Sequence, residues 1–378
     1  MLDISFLKNL PLPTSFWPWK KESESILGID FGSSSIKIAQ LRKQQERAVL
    51  ETYGELALGP YGGAEVGRAS RLVEAKVKEA LLDLIKEAVV KAKDAVVSIP
   101  VRSSFITVIE MPVMSEGELA EAIKFEARRY IPVPLSEVIL DWWVIPEGFA
   151  QNTAAEEESE GLGKKKKFMS VLLVAIHNEV IDKYRSLLTA AGLKVSSFEI
   201  EIFSAVRALV GNDLSPILML DFGASSTKVS VVDYGIVRMV YAYERGAQEI
   251  TEILSGSLGV DFARAEEIKR SVGLSEKPEH QEIKSAIEPL LDHALSEANR
   301  VFVDYRRKTG RSVSRVIIYG GGAQLKGLTE KVAEKFGLEA SLGQPFSRVE
   351  YPALVQPAVK EVGPSFAITI GLALRGLK

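Results

Sequence analysis

The sequence contains no cysteine and only three histidines in 378 residues. Without cysteine the chain can form no disulfide, present no thiol nucleophile and build no thiolate metal site. The histidines, His177, His280 and His293, stand well apart along the chain. A histidine-rich metal site is therefore also not expected.

Long apolar runs and an excess of positive charge are absent as well. No stretch approaches the ~20 apolar residues that span a bilayer, and the first residues lack the basic and then apolar segments of a secretory leader. The formal net charge is −3, whereas nucleic-acid-binding proteins usually present a basic face. The 46% hydrophobic and 26% charged content is that of an ordinary globular protein. We predict a cytoplasmic protein that does not bind nucleic acid.

One short pattern occurs twice in the chain. Asp30-Phe31-Gly32-Ser33-Ser34-Ser35-Ile36-Lys37 and Asp221-Phe222-Gly223-Ala224-Ser225-Ser226-Thr227-Lys228 are identical at six of eight positions. In each copy apolar residues precede the aspartate and follow the small residues, a pattern that predicts a strand, a tight turn and a second strand. The chain therefore contains a duplicated β-hairpin.

The residues of these hairpins suit a phosphate ligand. Glycine and serine at a turn let backbone N–H groups approach phosphate oxygens closely. Asp30 and Asp221 can hold the Mg²⁺ that accompanies a phosphate, usually through water, and Lys37 and Lys228 can reach the phosphates as point charges. A single copy would be read as an ordinary glycine-containing hairpin. Two matched copies that face each other would clamp one nucleotide tail.

A third glycine-rich stretch stands near the carboxyl end. The predicted strand Val316 to Tyr319 runs into Gly320-Gly321-Gly322-Ala323, and a helix is predicted from about Leu328. This geometry lets a flat or phosphorylated ligand lie against bare backbone near a helix N-terminus. A tight strand-to-helix turn is the alternative interpretation. Its position after the two hairpins favours the ligand.

The order of these three segments resembles the actin and sugar-kinase ATPase superfamily. Within it the chain is similar to the PilM family of type IV pilus assembly, which is itself similar to FtsA. The residues that carry the resemblance are Leu27 to Lys37, Asp221 to Thr227, Tyr319 to Ala323, Ala265 to Arg270, and the ending Pro364 to Arg375. The resemblance implies an α/β protein with an actin-like ATPase fold, in which two duplicated ribonuclease H-like halves carry an inserted small α+β subdomain.

The resemblance also implies a division of the chain. We expect a flexible N-terminal tail over 1–24, whose segment Phe6 to Pro13 is similar to the Asn-Leu-Leu-Pro peptide of PilN and could occupy the protein's own partner groove or a neighbour's. The first actin-like half is expected over 25–100 and 195–215, and the inserted subdomain over 101–194, with the charged EEESE and KKKK runs in a loop. The second half is expected over 216–246 and 313–378. A helical subdomain is expected over 247–312.

Carried over to this sequence, the resemblance implies a site for ATP or ADP with Mg²⁺. Asp30 and Asp221 would lie near the Mg²⁺, and Lys37 near the phosphates. The residues implied to contact the phosphates from the two tips are Gly32, Ser33, Ser34, Ser35, Gly223, Ala224, Ser225, Ser226 and Thr227. Glu266, Lys269 and Arg270 would contact the nucleoside, with a surface salt bridge as the alternative, and Gly320, Gly321 and Gly322 would contact the adenosine. Glu201 would orient the attacking water, with Glu199 as its rival, since strand alternation would send both side chains to one face.

The function implied is that of a scaffold peripheral to the inner membrane. Such a scaffold binds the cytoplasmic N-terminal peptide of PilN, contacts other platform proteins and the motor ATPases, and has at most slow ATPase activity; its membrane contact is indirect, and a homo-oligomer is left open. Three alternatives remain at this point. An FtsA-like division adaptor normally carries a C-terminal amphipathic helix that this chain lacks after Leu374, a sugar or acetate kinase needs a substrate pocket with a base, and an MreB-like filament protein carries a different insertion.

Overall fold

A computed structural model describes residues 25–145 and 168–377. The predicted N-terminal tail and the charged insert with its EEESE and KKKK runs lie outside these residues. The strands are β1 (Ser25–Phe31), β2 (Ser35–Gln44), β3 (Arg47–Ala57), β4 (Asp94–Ile99), β5 (Ser104–Pro112), β6 (Val138–Val144), β7 (Phe168–His177), β8 (Lys194–Ile200), β9 (Ile217–Phe222), β10 (Thr227–Asp233), β11 (Ile236–Tyr243), β12 (Arg315–Tyr319) and β13 (Glu339–Leu342). The helices are α1 (Glu74–Glu87), α2 (Glu116–Ala127), α3 (Asn178–Ala190), α4 (Glu201–Leu209), α5 (Ala247–Leu258), α6 (Phe262–Ser271), α7 (Gln281–Thr309), α8 (Leu328–Phe336), α9 (Gln356–Val362) and α10 (Ala367–Gly376).

Two five-stranded sheets have the same topology. The first has the order β3-β2-β1-β4-β8 and the second β11-β10-β9-β12-β13. In each, an antiparallel three-stranded meander continues into two parallel strands. The central strands β1, β4, β9 and β12 are nearly continuous apolar runs because both faces of the sheet are covered. The duplication seen in the hairpins therefore extends over a whole sheet.

The carboxyl-terminal helix completes the first half. α10 packs on β1, β2, β4 and α4, and its approach to β1 depends on Gly28, where an added Cβ would lie 2.2 Å from the carbonyl oxygen of Thr369. Phe366 and Ile370 add to a core with Leu41 of β2 and Phe346 of the preceding loop. The chain thus crosses from the first half to the second and returns at its end.

The segment between β4 and β8 contributes a third, antiparallel sheet of order β5-β7-β6. α2 begins with a capping box, in which the Ser115 backbone N–H donates to the Glu118 carboxylate at 3.0 Å. Leu119 and Ile123 of α2 pack against one face of this sheet. The other face packs on the second half, where Leu172 and Ile145 meet Ile236 of β11.

The last helix of this segment packs on the first half. Leu187 and Leu188 of α3 join Leu81 and Leu84 of α1 in one core. The predicted subdomain boundaries stay a prediction. Within residues 25–145 and 168–377, no helix has both the length and the apolar character needed to cross a membrane.

Candidate functional site

The two hairpin tips have the same backbone geometry. Asp30 pairs with Lys37 across β1 and β2, and Asp221 pairs with Lys228 across β9 and β10. Gly32 N–H donates to the Ser35 carbonyl oxygen at 3.0 Å, and Gly223 N–H donates to that of Ser226 at 3.1 Å. An added Cβ would lie 2.9 Å from the Ser35 carbonyl oxygen at Gly32 and 2.8 Å from the Ser226 carbonyl oxygen at Gly223. A side chain is therefore excluded at both turns.

Both tips open into one cleft of about 1090 Å³ between the halves. The predicted residues that line it are Asp30, Gly32, Ser33, Ser34, Ser35, Lys37, Glu201, Asp221, Gly223, Ala224, Ser225, Ser226, Glu266, Lys269, Arg270, Gly320, Gly321 and Gly322. Thr227 is not among them: its side chain is buried, and its hydroxyl donates to the Arg245 carbonyl oxygen at 2.7 Å, so the hydroxyl does not face the cleft. The first residue of β10 points its side chain into the protein.

Asp30 lies buried at the end of β1. Its Oδ1 accepts a hydrogen bond from the Ser98 hydroxyl of β4 at 2.7 Å. Burial raises the pKa of Asp30 to about 6, against the opposing effect of the Lys37 ammonium. Ser98 was not predicted as part of the site. The sequence feature that could have indicated Ser98 is its position: it is a hydroxyl residue near the end of a strand whose neighbouring residues are apolar.

The second aspartate has a cationic partner. Lys228 Nζ lies 2.9 Å from Asp221 Oδ2 and 2.8 Å from Glu201 Oε2. Burial raises the pKa of Asp221, although the Lys228 charge opposes this. Burial would lower the pKa of Lys228, but the two carboxylates outweigh it, so the pKa is raised. Lys228 is therefore a fixed cation between two acids.

The matching lysine of the first hairpin has a different partner. Lys37 Nζ lies 2.8 Å from the Ser35 hydroxyl and 3.1 Å from Glu55 Oε1 of β3. Burial alone would raise the pKa of Glu55. The Lys37 charge and the Ser35 hydrogen bond outweigh burial, so the pKa of Glu55 is lowered. Two identical sequence positions thus lie in different electrostatic surroundings.

Glu199 does not share the cleft with Glu201. Its carboxylate pairs with Arg207 of α4 and Arg375 of α10, and Glu199 is not among the residues that line the cleft. The prediction that both glutamates share one face is wrong because β8 ends at Ile200 and α4 begins at Glu201. Strand alternation does not continue across that boundary.

A second polar cluster lies on α5 and α6. Lys269 Nζ lies 2.5 Å from Glu266 Oε2 and donates to the Thr251 hydroxyl at 2.8 Å. Arg270 Nε donates to Glu266 Oε1 at 2.8 Å. Burial lowers the pKa of Lys269, although the Glu266 charge opposes this. Lys269 is buried against the cleft wall, so its pair with Glu266 is not a simple surface salt bridge.

The triple glycine turn lies directly against the second hairpin. Gly320 has a φ of 89° and leaves room for the Asp221 carboxylate, since an added Cβ would lie 2.4 Å from Asp221 Oδ1. An added Cβ at Gly322 would lie 2.6 Å from the Phe222 ring. The bare backbone of this turn forms part of the cleft wall.

Contacts across the cleft mouth, which the sequence did not predict, connect the two tips. The Ala69 N–H donates to Gln248 Oε1 at 2.5 Å, and the Arg68 guanidinium carbon lies 4.4 Å from the centre of the Phe262 ring. On one side Ser70 N–H donates to the Ser33 carbonyl oxygen at 3.0 Å, and on the other Gln248 N–H donates to that of Ala224 at 2.9 Å. We call Arg68, Ala69, Gln248 and Phe262 the cross-cleft contacts.

The donor set fits Mg²⁺ bound together with phosphates. Within the described ranges no group of three or more acidic, histidine or cysteine side chains could hold a metal by itself. Asp30 and Asp221 are buried carboxylates at the ends of equivalent strands. Mg²⁺ is usually held by one or two carboxylates, waters and substrate phosphates. The two aspartates would hold the ion through water, and it would supply positive charge beside the phosphates.

Comparisons with known proteins agree with this architecture. The family model for type IV pilus assembly protein PilM matches residues 28–377. The chain is similar to the solved PilM-PilN type IV pilus biogenesis complex, with a TM-score of 0.77 and 24% identity over 93% of this chain and 98% of that one. It is also similar to the ethanolamine utilization protein EutJ from Carboxydothermus hydrogenoformans, with a TM-score of 0.54 and 15% identity over 97% and 92% of the two chains. With the two sheets of equal topology, these likenesses confirm the predicted actin-like ATPase fold.

Proposed function

The chain belongs to the PilM family of type IV pilus assembly proteins, and on that basis we propose that it is a nucleotide-binding scaffold of pilus assembly. The predicted family is thereby confirmed. In the proposed role ATP or ADP with Mg²⁺ binds between the two halves, and its presence sets the angle between them. A cytoplasmic peptide of an inner-membrane protein binds the same molecule.

One observation carries the nucleotide proposal: two hairpin tips of equal geometry line the same cleft, each with a buried aspartate beside it. Backbone N–H groups of Ser33 to Ser35 and of Ala224 to Ser226 can donate to phosphate oxygens from opposite sides. Glu266, Lys269 and Arg270 would contact the nucleoside from α6. The glycines 320–322 would leave room for its adenosine.

The partner proposal starts from the solved PilM-PilN complex. We propose that this chain binds the N-terminal cytoplasmic peptide of a PilN-type protein, which would attach it to the inner membrane and to the other platform proteins and motor ATPases. An extended peptide needs apolar anchor sites beside backbone and charged contacts. Beyond the first tip the cleft has an apolar wall of Val77, Tyr184 and Leu187, with Arg71, Arg102 and Lys183 around it. This wall lies where α1 and α3 meet the start of the inserted segment.

Calorimetric titration of MgATP into the purified protein tests the nucleotide site. The wild type should bind in a Mg²⁺-dependent manner, and Asp30→Ala should weaken binding at least tenfold because it removes a metal-side carboxylate. Asp304→Ala is the matched control, since Asp304 pairs with Arg307 on α7 outside the cleft. The absence of binding to the wild type would refute the nucleotide proposal.

Fluorescence anisotropy with a labelled PilN N-terminal peptide tests the partner site. Val77→Asp should weaken peptide binding because it places a charge in the apolar wall. Val73→Asp is the control, since Val73 precedes α1, is 70% exposed and does not line the cleft. Equal peptide affinity for Val77→Asp and the wild type would refute this placement of the groove.

A further inference from the structure

We propose that Lys228 is a positioning residue that suppresses hydrolysis of the nucleotide by holding Glu201 in an ion pair. The inference rests on the proposed binding of ATP in the cleft. In this proposal the bound ATP stays intact because a lysine of the second hairpin slows its hydrolysis.

Both oxygens of Glu201 already have partners. Oε1 accepts the Val101 backbone N–H at 2.8 Å, and Oε2 lies 2.8 Å from Lys228 Nζ. Only 8% of the Glu201 side chain and 16% of the Lys228 side chain are exposed, so water screens this pair weakly. Lys228 is in turn held by Asp221. The ammonium therefore cannot leave one carboxylate without leaving a buried charge unpaired.

The chemistry of hydrolysis requires the opposite arrangement. The oxygen of a water molecule forms a bond to the γ-phosphorus while the bond from that phosphorus to the β–γ bridging oxygen breaks. The bridging electron pair leaves with ADP, and a base accepts the proton of the water, which then passes to the solvent with the released phosphate. A carboxylate accepts that proton readily when an oxygen is free and no cation stabilises its ionised form. In Glu201 neither condition is met: Val101 N–H and Lys228 occupy its two oxygens, and the Lys228 ammonium stabilises its ionised form.

The first hairpin shows that this arrangement is not a necessary consequence of the motif. Lys37 occupies the equivalent position, yet it pairs with Glu55 of β3 and with Ser35. Asp30 has the Ser98 hydroxyl in place of a lysine. The ion pair with Glu201 is therefore specific to the second hairpin and to its position opposite the start of α4.

Phosphate release from MgATP tests the proposal. The wild type should release phosphate slowly, Lys228→Met at least tenfold faster, and Lys228→Met with Glu201→Gln at the wild-type rate. Lys228→Arg, which keeps a cation beside Glu201 and Asp221, should release phosphate at the wild-type rate. Lys331→Met, which removes a half-buried lysine outside the cleft that pairs with Glu288 and Asp292, controls for the loss of a lysine as such. Lys228→Gln keeps hydrogen-bond donors for both carboxylates without the charge and should also release phosphate faster, so the test does not depend on the folding of Lys228→Met.

The outcomes separate this inference from the proposed function. No calorimetric binding of MgATP to the wild type would refute the proposed function and this inference with it. Wild-type binding together with unchanged or slower phosphate release in both Lys228 variants would overturn the inference alone. Loss of MgATP binding in both variants would identify Lys228 as a phosphate ligand and overturn it as well.

Discussion

Asp30 is a buried acid whose folded-state pKa of about 6 lies above its ordinary value of 3.8. In the absence of ligand, the protonated Asp30 side chain contributes to the free energy of unfolding. This contribution is fully present below pH 4 and is lost as the pH rises through 6, because the buried side chain must then ionise. Above pH 6, Asp30→Asn should therefore raise the free energy of unfolding by about 2–3 kcal/mol, from ~1.4 kcal/mol for each unit of pKa. Denaturant unfolding at pH 5 and pH 7.5 measures the difference. An equal effect at both pH values would contradict the assigned pKa.

The same residue should make nucleotide binding depend on pH. Metal binding requires the ionised carboxylate, and at pH 5 only about a tenth of Asp30 would be ionised. We expect MgATP affinity roughly tenfold lower at pH 5 than at pH 7 for the wild type. Asp30→Asn is the control, because its remaining pH dependence comes from the nucleotide and from the other ionisable groups of the cleft, such as Asp221, whose pKa is also raised by burial.

The sequence predicted the residues of the two hairpin tips and of the triple glycine that line the cleft, except Thr227, because their types and the repetition of the hairpin indicated a phosphate site. It did not predict which partner each side chain has. Lys37 and Lys228 stand in identical positions, but the residue opposite is Glu55 in one half and Glu201 in the other. Those partners come from other strands and helices, and no local pattern specifies them.

Among the helices, the crossing of α4 and α10 is among the closest contacts. An added Cβ at Gly371 would lie 1.9 Å from the Ser204 carbonyl oxygen, and backbone cannot yield as a flexible side chain does. Gly371→Ala should lower the free energy of unfolding by about 2–3 kcal/mol. Gly256→Ala in α5, where an added Cβ meets nothing within 4 Å, should raise it by ~0.5–1 kcal/mol through helix propensity. Chemical denaturation of both variants measures whether their free energies of unfolding change in these opposite directions.

The cross-cleft contacts should slow nucleotide release. Gln248→Ala removes the acceptor of the Ala69 N–H, and the loss of one hydrogen bond of ~1 kcal/mol corresponds to dissociation about fivefold faster. Stopped-flow displacement of a fluorescent ADP measures this rate. Glu252→Ala removes the other partner of the Gln248 side chain and should leave the rate near that of the wild type. Equal rates for Gln248→Ala and the wild type would show that the mouth does not limit release.

The elements themselves followed from the sequence where periodicity and turn residues agreed. The hairpins and the strand before the triple glycine were predicted at the places where they occur. The contact between Ala69 and Gln248 was not, since it joins residues 179 positions apart. An irregular loop carries no pattern that reveals what it will touch.

For the molecule as a whole, the inserted segment should connect the two proposed ligands. Its sheet packs Leu172 and Ile145 on Ile236 of the second half, so closure of the halves around a nucleotide must move or compress this contact. Ile236→Ala should bring the ratio of peptide affinities with and without MgATP towards one. Val301→Ala, buried in the second-half core away from the insert, is the control. Anisotropy titrations in both conditions measure the ratio, and an unchanged ratio would contradict this route.

The return of the chain at α10 bears on synthesis by the ribosome. The sheet of the second half is contiguous from Ile217 to Leu342 and can assemble as soon as that stretch has emerged. The sheet of the first half begins at Ser25 but is covered by α10, which is translated after every strand of the second half. The sheet of the first half therefore keeps an apolar face exposed while the second half is synthesised and folds. During that interval a nascent chain of this protein most needs a chaperone.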